Sequence, residues 1–486
     1  MKSSRYFRSI LALRKQVLFV SFLGITIVAV SLLTTKESQK YGSDKVGLPP
    51  LPRHREAVYD YYKLRFLPDG YPGKQLKDKI VPHPIYGAYV ISDYLAQYDS
   101  TKDETYLQAA VKVARASLGR MKEFKDALIF WYEPDTDLTS FPGRFYSGLT
   151  QSRYLLLLGQ LSKLTHDPLF LESSKKILQS LFIRQSDGGV LRPFHSGISI
   201  EEVPNEIPLY TLNGWLTAMI HVKRYADVVN SKRAQELFSK NVESLEKIID
   251  LYDVEELANS RYHLSGLCSL KLRCLRGFRP IILRGSVKIP KEGEFPIKLQ
   301  QSKNAYSNYI KDKNAVNANR YPVTTEEVET NIVLSMISFP EENSVSFELE
   351  TSVEGEMEVL IGVGDYDLFS ERLRPTRWIS LGKFNVSKTT PNIWVTIPWR
   401  KAWLVAYPTN FLKQIGEKNY NVYHYIHINS IKTLYDHTKR EKFNQYYLKW
   451  LGYTKRWPEM EPYKSEKIEL QRFHQKMNPE IPEAPK

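Results

Sequence analysis

The spacing of apolar residues changes twice along this chain, and each change marks a different kind of element that the backbone can bury. From about residue 83 to 260 they recur every three or four positions, in segments near 85–98, 104–119, 147–164, 168–184, 210–228 and 232–252. That is the stripe by which an amphipathic helix meets a core. The connectors Asp99-Ser100-Thr101-Lys102, Thr165-His166-Asp167-Pro168 and Ser186-Asp187-Gly188-Gly189 are short and polar, so successive helices are predicted to run antiparallel. Between about 280 and 405 the period falls to two. Residues 344–350, 357–363 and 393–397 alternate apolar and polar side chains, with Gly, Pro and Asn between the runs, which predicts an antiparallel, sandwich-like β-region. Helical spacing returns at about 423 to 451. The expected fold class is α+β: an α/α toroid or related helical array with an inserted antiparallel β-sandwich-like region.

The first residues carry a different signal. Met1 to Lys15 hold five basic residues and no acid, and Val17 to Leu33 are seventeen residues without a charge. At about 1.5 Å per residue they cover some 25 Å, close to the roughly 30 Å of a bilayer core. A single transmembrane anchor is expected, with the basic flank cytoplasmic and the rest in a Golgi-type lumen or periplasm. Ala29-Val30-Ser31 leaves a cleaved signal peptide as the competing reading. The expected division is 1–34 cytoplasmic tail and anchor, 35–58 a proline-bearing stalk, and 59–279 the first part of a helical catalytic domain. It continues with 280–410 as the β-rich insertion, 411–454 as the last helices and 455–486 as a peripheral tail.

Of the net charge of +14, about +6 lies in the first 48 residues. The remaining excess suits an anionic partner, while an exported chain without a basic run or recognition motif does not read as a nucleic-acid binder. Cys268 and Cys274, the two cysteines, cannot form a disulfide-dense scaffold or a metal site by themselves. No Gly-rich phosphate loop followed by lysine, His-Glu-x-x-His or Gly-x-Ser-x-Gly occurs.

Residues 421–429 pack tyrosines, two histidines and a carboxamide into one helix entrance. A helix starting near Tyr423 places His427 about one turn on and on the same face, with Asn429 less well aligned. Further stretches of the same density are Ser147-Gly148-Leu149-Thr150-Gln151-Ser152-Arg153, Glu201-Glu202-Val203-Pro204 with Tyr210-Thr211-Leu212-Asn213-Gly214-Trp215, and Arg261-Tyr262-His263-Leu264. Taken in order with the 421–429 run, they resemble the C-terminal catalytic domain of glucuronyl C5-epimerases, across roughly residues 60–270 and 420–455.

The resemblance implies an isomerase that inverts carbon 5 of glucuronyl units to iduronyl within a heparan- or heparosan-like polysaccharide, with no cofactor or metal. Such chemistry needs acid/base groups on both faces of the sugar and donors for charge developing on its carboxylate. Carried over by position, Tyr423, Tyr262 and Glu202 are the expected proton-transfer residues. Gln151, Asn213, His424, His427 and Asn429 are expected hydrogen-bond partners of the sugar, and Arg144 and Arg153 expected carboxylate clamps. The sequence departs from the family at Val203, which stands in place of a tyrosine, at His263 in place of an aspartate and at Ser265 in place of an arginine. Tyr210 is a candidate for the vacant phenol. A lyase acting on uronic acid and a non-catalytic glycan-binding homologue share the same features, and a homodimer is compatible with them.

Overall fold

The computed structural model describes residues 40–139, 141, 143–255, 258–302, 304, 306–315, 319–367, 372–398, 413–415, 418–420 and 422–459. The expected anchor at 17–33 and most of the expected tail lie outside them. Among the described residues no helix is long and apolar enough to cross a membrane. Contacts divide the chain between Arg120 and Met121 into two compact units.

In the first unit, α1 (Glu56–Tyr61) leads into a three-stranded antiparallel sheet of β1 (Leu64–Phe66), β2 (Pro72–Leu76) and β3 (Lys79–Pro82). A helical hairpin follows, α2 (Tyr86–Thr101) and α3 (Glu104–Leu118). Lys102, at φ 58°, ends α2 and Asp103 caps α3 by accepting from the Thr105 N–H, so the polar connector supplies both helix ends. The expected stalk is corrected here. From Lys40 onward the segment lies on the hairpin, with Tyr41 and Leu48 buried, Tyr94 Oη donating to the Pro49 carbonyl at 2.8 Å and the Lys112 ammonium donating to the Val46 carbonyl. Polyproline composition says a segment is extended; it does not say that it stands free.

The second unit opens with the hairpin β4 (Lys122–Phe124) and β5 (Ala127–Ile129), then α4 (Gly148–Thr165) and α5 (Pro168–Ser180). Hairpin β6 (Leu191–Phe194) and β7 (Gly197–Ile200) precedes α6 (Leu212–Val229) and α7 (Lys232–Ile248). The two-residue strands β8 (Asp253–Val254) and β9 (Asn259–Ser260) pair with each other. Ser147, Asp167 and Ser231 cap α4, α5 and α7 through their side chains.

The β-region is two antiparallel sheets. One has the order β13 (Tyr309–Ile310), β15 (Glu327–Ser335), β10 (Ser265–Cys274), β17 (Gly355–Asp367), β18 (Arg372–Val386). The other runs β12 (Gly293–Pro296), β11 (Ile281–Ile289), β16 (Ser344–Glu350), β19 (Asn392–Thr396), with β14 (Tyr321–Pro322) also paired to β11. Strands thus begin at Ser265, ahead of the expected boundary at 280. β10 is buried on seven of its ten residues and alternates only from Leu270 to Cys274, so its first half lacks the pattern by which a strand shows itself. The cysteines of β10 are both buried and free.

After the hairpin β20 (Lys413–Ile415) and β21 (Lys418–Tyr420), the chain returns to helix as α8 (Val422–Thr438) and α9 (Glu441–Arg456). Lys439, at φ 55°, makes the break between them. The chain stays packed past the expected end at 454: Trp457 is buried and its indole N–H donates to the Ala258 carbonyl at 2.8 Å.

Three of these helices run parallel. α4 and α6 start together, because the Gly148 N–H donates to the Glu201 carbonyl while the Glu202 carboxylate lies against Gly214. They also end together, Gly159 facing the Tyr225 ring and Val229. α8 packs on α6 in the same direction, its first turn beside Tyr262 and its His437 within the field of Lys223 and Arg224. α5, α7 and α9 are the return legs.

Candidate active site at three helix entrances

The parallel helices bring their N-terminal ends to one place, and the candidate residues lie there. Gly148 permits the closeness: a Cβ on it would sit 2.5 Å from the Glu201 carbonyl oxygen. Gly214 does the same for the next residue, since a Cβ there would sit 2.6 Å from Glu202 Oε2. Asn213, between them and the core, is buried with no hydrogen-bond partner for Oδ1 among the described residues. The Tyr262 carbonyl accepts from the Leu212 N–H at 2.8 Å and Leu264 N–H donates to Leu209 at 2.9 Å, pinning Tyr262 beside the entrance of α6. Its ring meets that of Tyr423, in the first turn of α8, edge to face with centroids 4.5 Å apart and planes at 65°. Both phenols are half-buried, whereas Tyr146, Tyr154, Tyr210, Tyr225 and Tyr252 of the same unit are fully buried.

Neutral histidines back this pair. His263 Nε2 is 2.9 Å from the Tyr306 hydroxyl, and its ring touches Tyr262 at 5.6 Å between centroids. Burial pulls its pKa down to about 3. His424 Nε2 must donate to the Trp450 carbonyl at 3.0 Å, which leaves Nδ1 to accept from the Ser260 N–H at 3.1 Å. The Ser260 hydroxyl also bridges His424 Nδ1 and His427 Nδ1, at 2.8 and 2.7 Å. Burial lowers His424 to about 4 and His427 further below its usual range.

Several expected roles are therefore corrected. His424 and His427 are buried and tie α8 to β9 rather than facing a sugar. Gln151 is wholly buried, its Oε1 accepting from Phe130 N–H at 3.2 Å and its Nε2 donating to Leu128 O and Ser180 Oγ at 2.8 and 3.0 Å. It joins α4 to β5 and α5. Arg144 is exposed, paired with Glu133 at 3.0 Å and stacked on Trp131 at 4.3 Å. Arg153 lies along α4 opposite the buried ring of His221, whose pKa burial and Arg153 both depress. Asn429 is half-buried and off the Tyr423 face. Tyr210 cannot supply the missing phenol, because it is buried and donates to Glu292 Oε2 at 2.7 Å. Ser265 donates instead to the Pro208 carbonyl.

The sequence reading missed a charged network behind Glu202. Glu201 is buried, and desolvation pushes its carboxyl above the usual range against the pull of Arg192, 3.7 Å away. Ser199 Oγ and the Tyr210 N–H donate to it at 3.0 and 3.3 Å. Glu292, in the turn from β11 to β12, receives Tyr210 and lies 3.3 Å from His195 Nδ1. The doubled Glu201-Glu202 was the available signal, one acid turned in and its neighbour toward the site. Among the described residues no group of three His, Cys, Asp or Glu side chains is arranged to hold a metal ion.

Residues 129–273 match the family model described as the D-glucuronyl C5-epimerase C-terminus. A D-glucuronyl C5-epimerase of Caenorhabditis elegans is 30% identical over 124 residues, covering 23% of this chain and 20% of that protein. The chain thus spans about a fifth of the length of the curated relative that it matches. The match carries Glu202, Asn213 and Tyr262 and stops before Tyr423. Over these residues the chain resembles the C-terminal region of the glucuronyl C5-epimerase family. A GH76 alpha-1,6-mannanase from Salegentibacter aligns with a TM-score of 0.31 at 13% identity, over 43% of this chain and 53% of its own. A GH76 alpha-mannanase from Bacteroides thetaiotaomicron aligns at 0.28 and 14%, over 42% and 55%.

Proposed function

We propose that this protein is a uronyl C5-epimerase that converts glucuronyl to iduronyl residues in an anionic, heparosan-like polysaccharide. In this reading the α/α hairpins form a toroid whose working end is the shared entrance of α4, α6 and α8, and residues 17–33 hold it on the extracytoplasmic side of a membrane. The observation that carries the proposal is the edge-to-face contact of two half-buried phenols from distant parts of the chain, Tyr262 and Tyr423.

The contact also refines the roles. Rings 4.5 Å apart leave no room for a pyranose between them, so the two phenols serve the same face of the sugar. The opposite face falls to Glu202. The Leu212 N–H binds the Tyr262 backbone carbonyl and Gly214 meets the Glu202 carboxylate, so Tyr262 and Glu202 both border the first turn of α6. The entrance of α6 is thus the element common to the two groups. Its amide N–H groups and positive dipole end suit a uronate carboxylate. One group takes the proton as the carbon–hydrogen bond at carbon 5 breaks, the electron pair delocalises into the carboxylate, and the group across the ring returns a proton. Helix N–H donors hold the added charge in place. Val203 is then no obstacle, because the acid beside it takes the second face.

The test is incubation with de-acetylated, N-sulfated heparosan followed by NMR of the product. Iduronate signals without a rise in ultraviolet absorbance support epimerisation. An unsaturated, absorbing product makes it a lyase, and binding without either change makes it a non-catalytic homologue. Tyr262→Phe and Tyr423→Phe keep the ring contact and are each expected to cost about 100-fold or more in turnover.

A further inference from the structure

One tryptophan lies where the fold does not need it. On β19, Ile393 and Val395 point into the core while Asn392, Trp394 and Thr396 point out, and Trp394 is 52% exposed. Register places Ser346 beside Trp394 and Ser286 beside Ser346, with the two hydroxyls 2.8 Å apart. The floor next to the indole is therefore flat, small and hydroxylated for two strands. In the adjoining row Lys288, Ser344 and Thr396 stand side by side.

Among the described residues the cations of this face are ion-paired with one exception. Arg284 is bonded to Glu348, and Glu294, opposite Lys288 in the β11–β12 register, turns to accept from the Ser286 hydroxyl. Lys288 is exposed, has no carboxylate partner among the described residues, and holds its ammonium 5.9 Å from the centre of the Trp394 ring. An aromatic face beside small polar side chains stacks on the C–H face of a pyranose, and an unpaired cation next to it complements a carboxylate borne by that ring. A neutral sugar would satisfy the indole and leave the ammonium unused.

We infer that the outer face of the β12-β11-β16-β19 sheet, at Trp394, Ser346, Ser286 and Lys288, is a second binding surface for a uronate-bearing polysaccharide strand. The choice of polymer rests on the proposed function; the surface does not need turnover. It would retain a long chain while its residues are processed elsewhere on the protein.

The test is affinity electrophoresis of the full chain through gels containing heparosan or neutral dextran. Trp394→Ala is expected to weaken heparosan retardation about ten-fold, a stacking contact of about 1.4 kcal/mol. Trp394→Tyr, which keeps an aromatic face, should retain most of it and guards against a folding defect. Lys288→Gln should weaken it about three-fold and flatten its salt dependence. Turnover of a short oligosaccharide should be unchanged in Trp394→Ala. Retardation within two-fold of the parent for Trp394→Ala, or equal retardation by dextran, overturns the inference. A parent that never epimerises while Trp394→Ala still loses retardation refutes the catalytic reading and leaves this surface standing.

Discussion

Gly214→Ala separates the proposed chemistry from the packing that holds it. The methyl carbon would lie 2.6 Å from Glu202 Oε2 and 2.9 Å from Glu202 Cβ, so the glutamate must withdraw by about 1 Å to reach ordinary contact near 3.5 Å. Two effects on stability oppose each other. Alanine gains about 1 kcal/mol over glycine inside a helix, and forcing a methyl into a packed place costs about 1–3 kcal/mol. The net change should be a loss of no more than about 2 kcal/mol, which leaves a folded protein. Activity has no such compensation: displacing a proton-transfer group by about 1 Å costs about 100-fold. Gly452→Ala in α9 is the control, since nothing lies within 4 Å of its Cβ. It should stabilise by about 0.5–1 kcal/mol and leave turnover alone. Urea unfolding and turnover on N-sulfated heparosan would be measured for both. A folded Gly214→Ala protein with the parent's turnover would remove Glu202 from the mechanism.

Gln151→Ala strips partners from the buried Phe130 N–H and Leu128 carbonyl, and should cost about 2–4 kcal/mol with kcat per folded molecule unchanged; a selective loss of kcat would return Gln151 to the substrate. Acid should destabilise the fold in a defined window. His424, lowered to about 4 in the native state, contributes stability that is whole above the unfolded pKa of about 6.5. That contribution is lost as pH falls from there toward 4, by about 3 kcal/mol in full. Glu201, with a raised pKa, acts with the opposite sign, its share being lost as pH rises through its native value. The urea midpoint should therefore fall between pH 7 and pH 5 and fall less in His424→Asn; a flat profile in the parent refutes the buried neutral histidine. Asn385, exposed at the end of β18 within Asn385-Val386-Ser387, should carry a glycan when the full chain passes through a eukaryotic secretory lumen. Digestion with an N-glycanase and Asn385→Gln should give the same mobility shift; an unmodified parent contradicts the proposed topology.

Helices α3, α5 and α7 were legible because each presents one buried stripe behind a capping Asp or Ser, whereas α4 and α6 are buried on most of their residues and showed only as long apolar runs. Segment 344–350 was legible for the matching reason, one buried face and one wet face. The first half of β10 was not, since burial on both sides there removes the alternation that announces a strand, which returns only at 270–274. Composition misled at 40–58, where proline and lysine suggested a free stalk but Tyr41 and Leu48 are in the core. Within the candidate site, spacing could place Tyr423 at a helix entrance but could not show that Tyr262 meets it, because that contact is made across the whole β-region. Gln151 and the two histidines were read as ligands for their polarity. A buried polar side chain serves equally well as a joint between elements, and only the partners decide. Their partners are Leu128, Ser180, Ser260 and Trp450.

The central claim is that Tyr262 and Tyr423 address carbon 5 of a uronyl ring from one side and Glu202 from the other. It is tested most directly by incubating the protein with N-sulfated heparosan in deuterated water and reading deuterium at carbon 5 by NMR. The account predicts deuterium in both glucuronyl and iduronyl units for the parent. Tyr262→Phe, Tyr423→Phe and Glu202→Gln should each suppress incorporation while remaining folded. Undiminished incorporation in the tyrosine variants, or none in a folded parent, would contradict it.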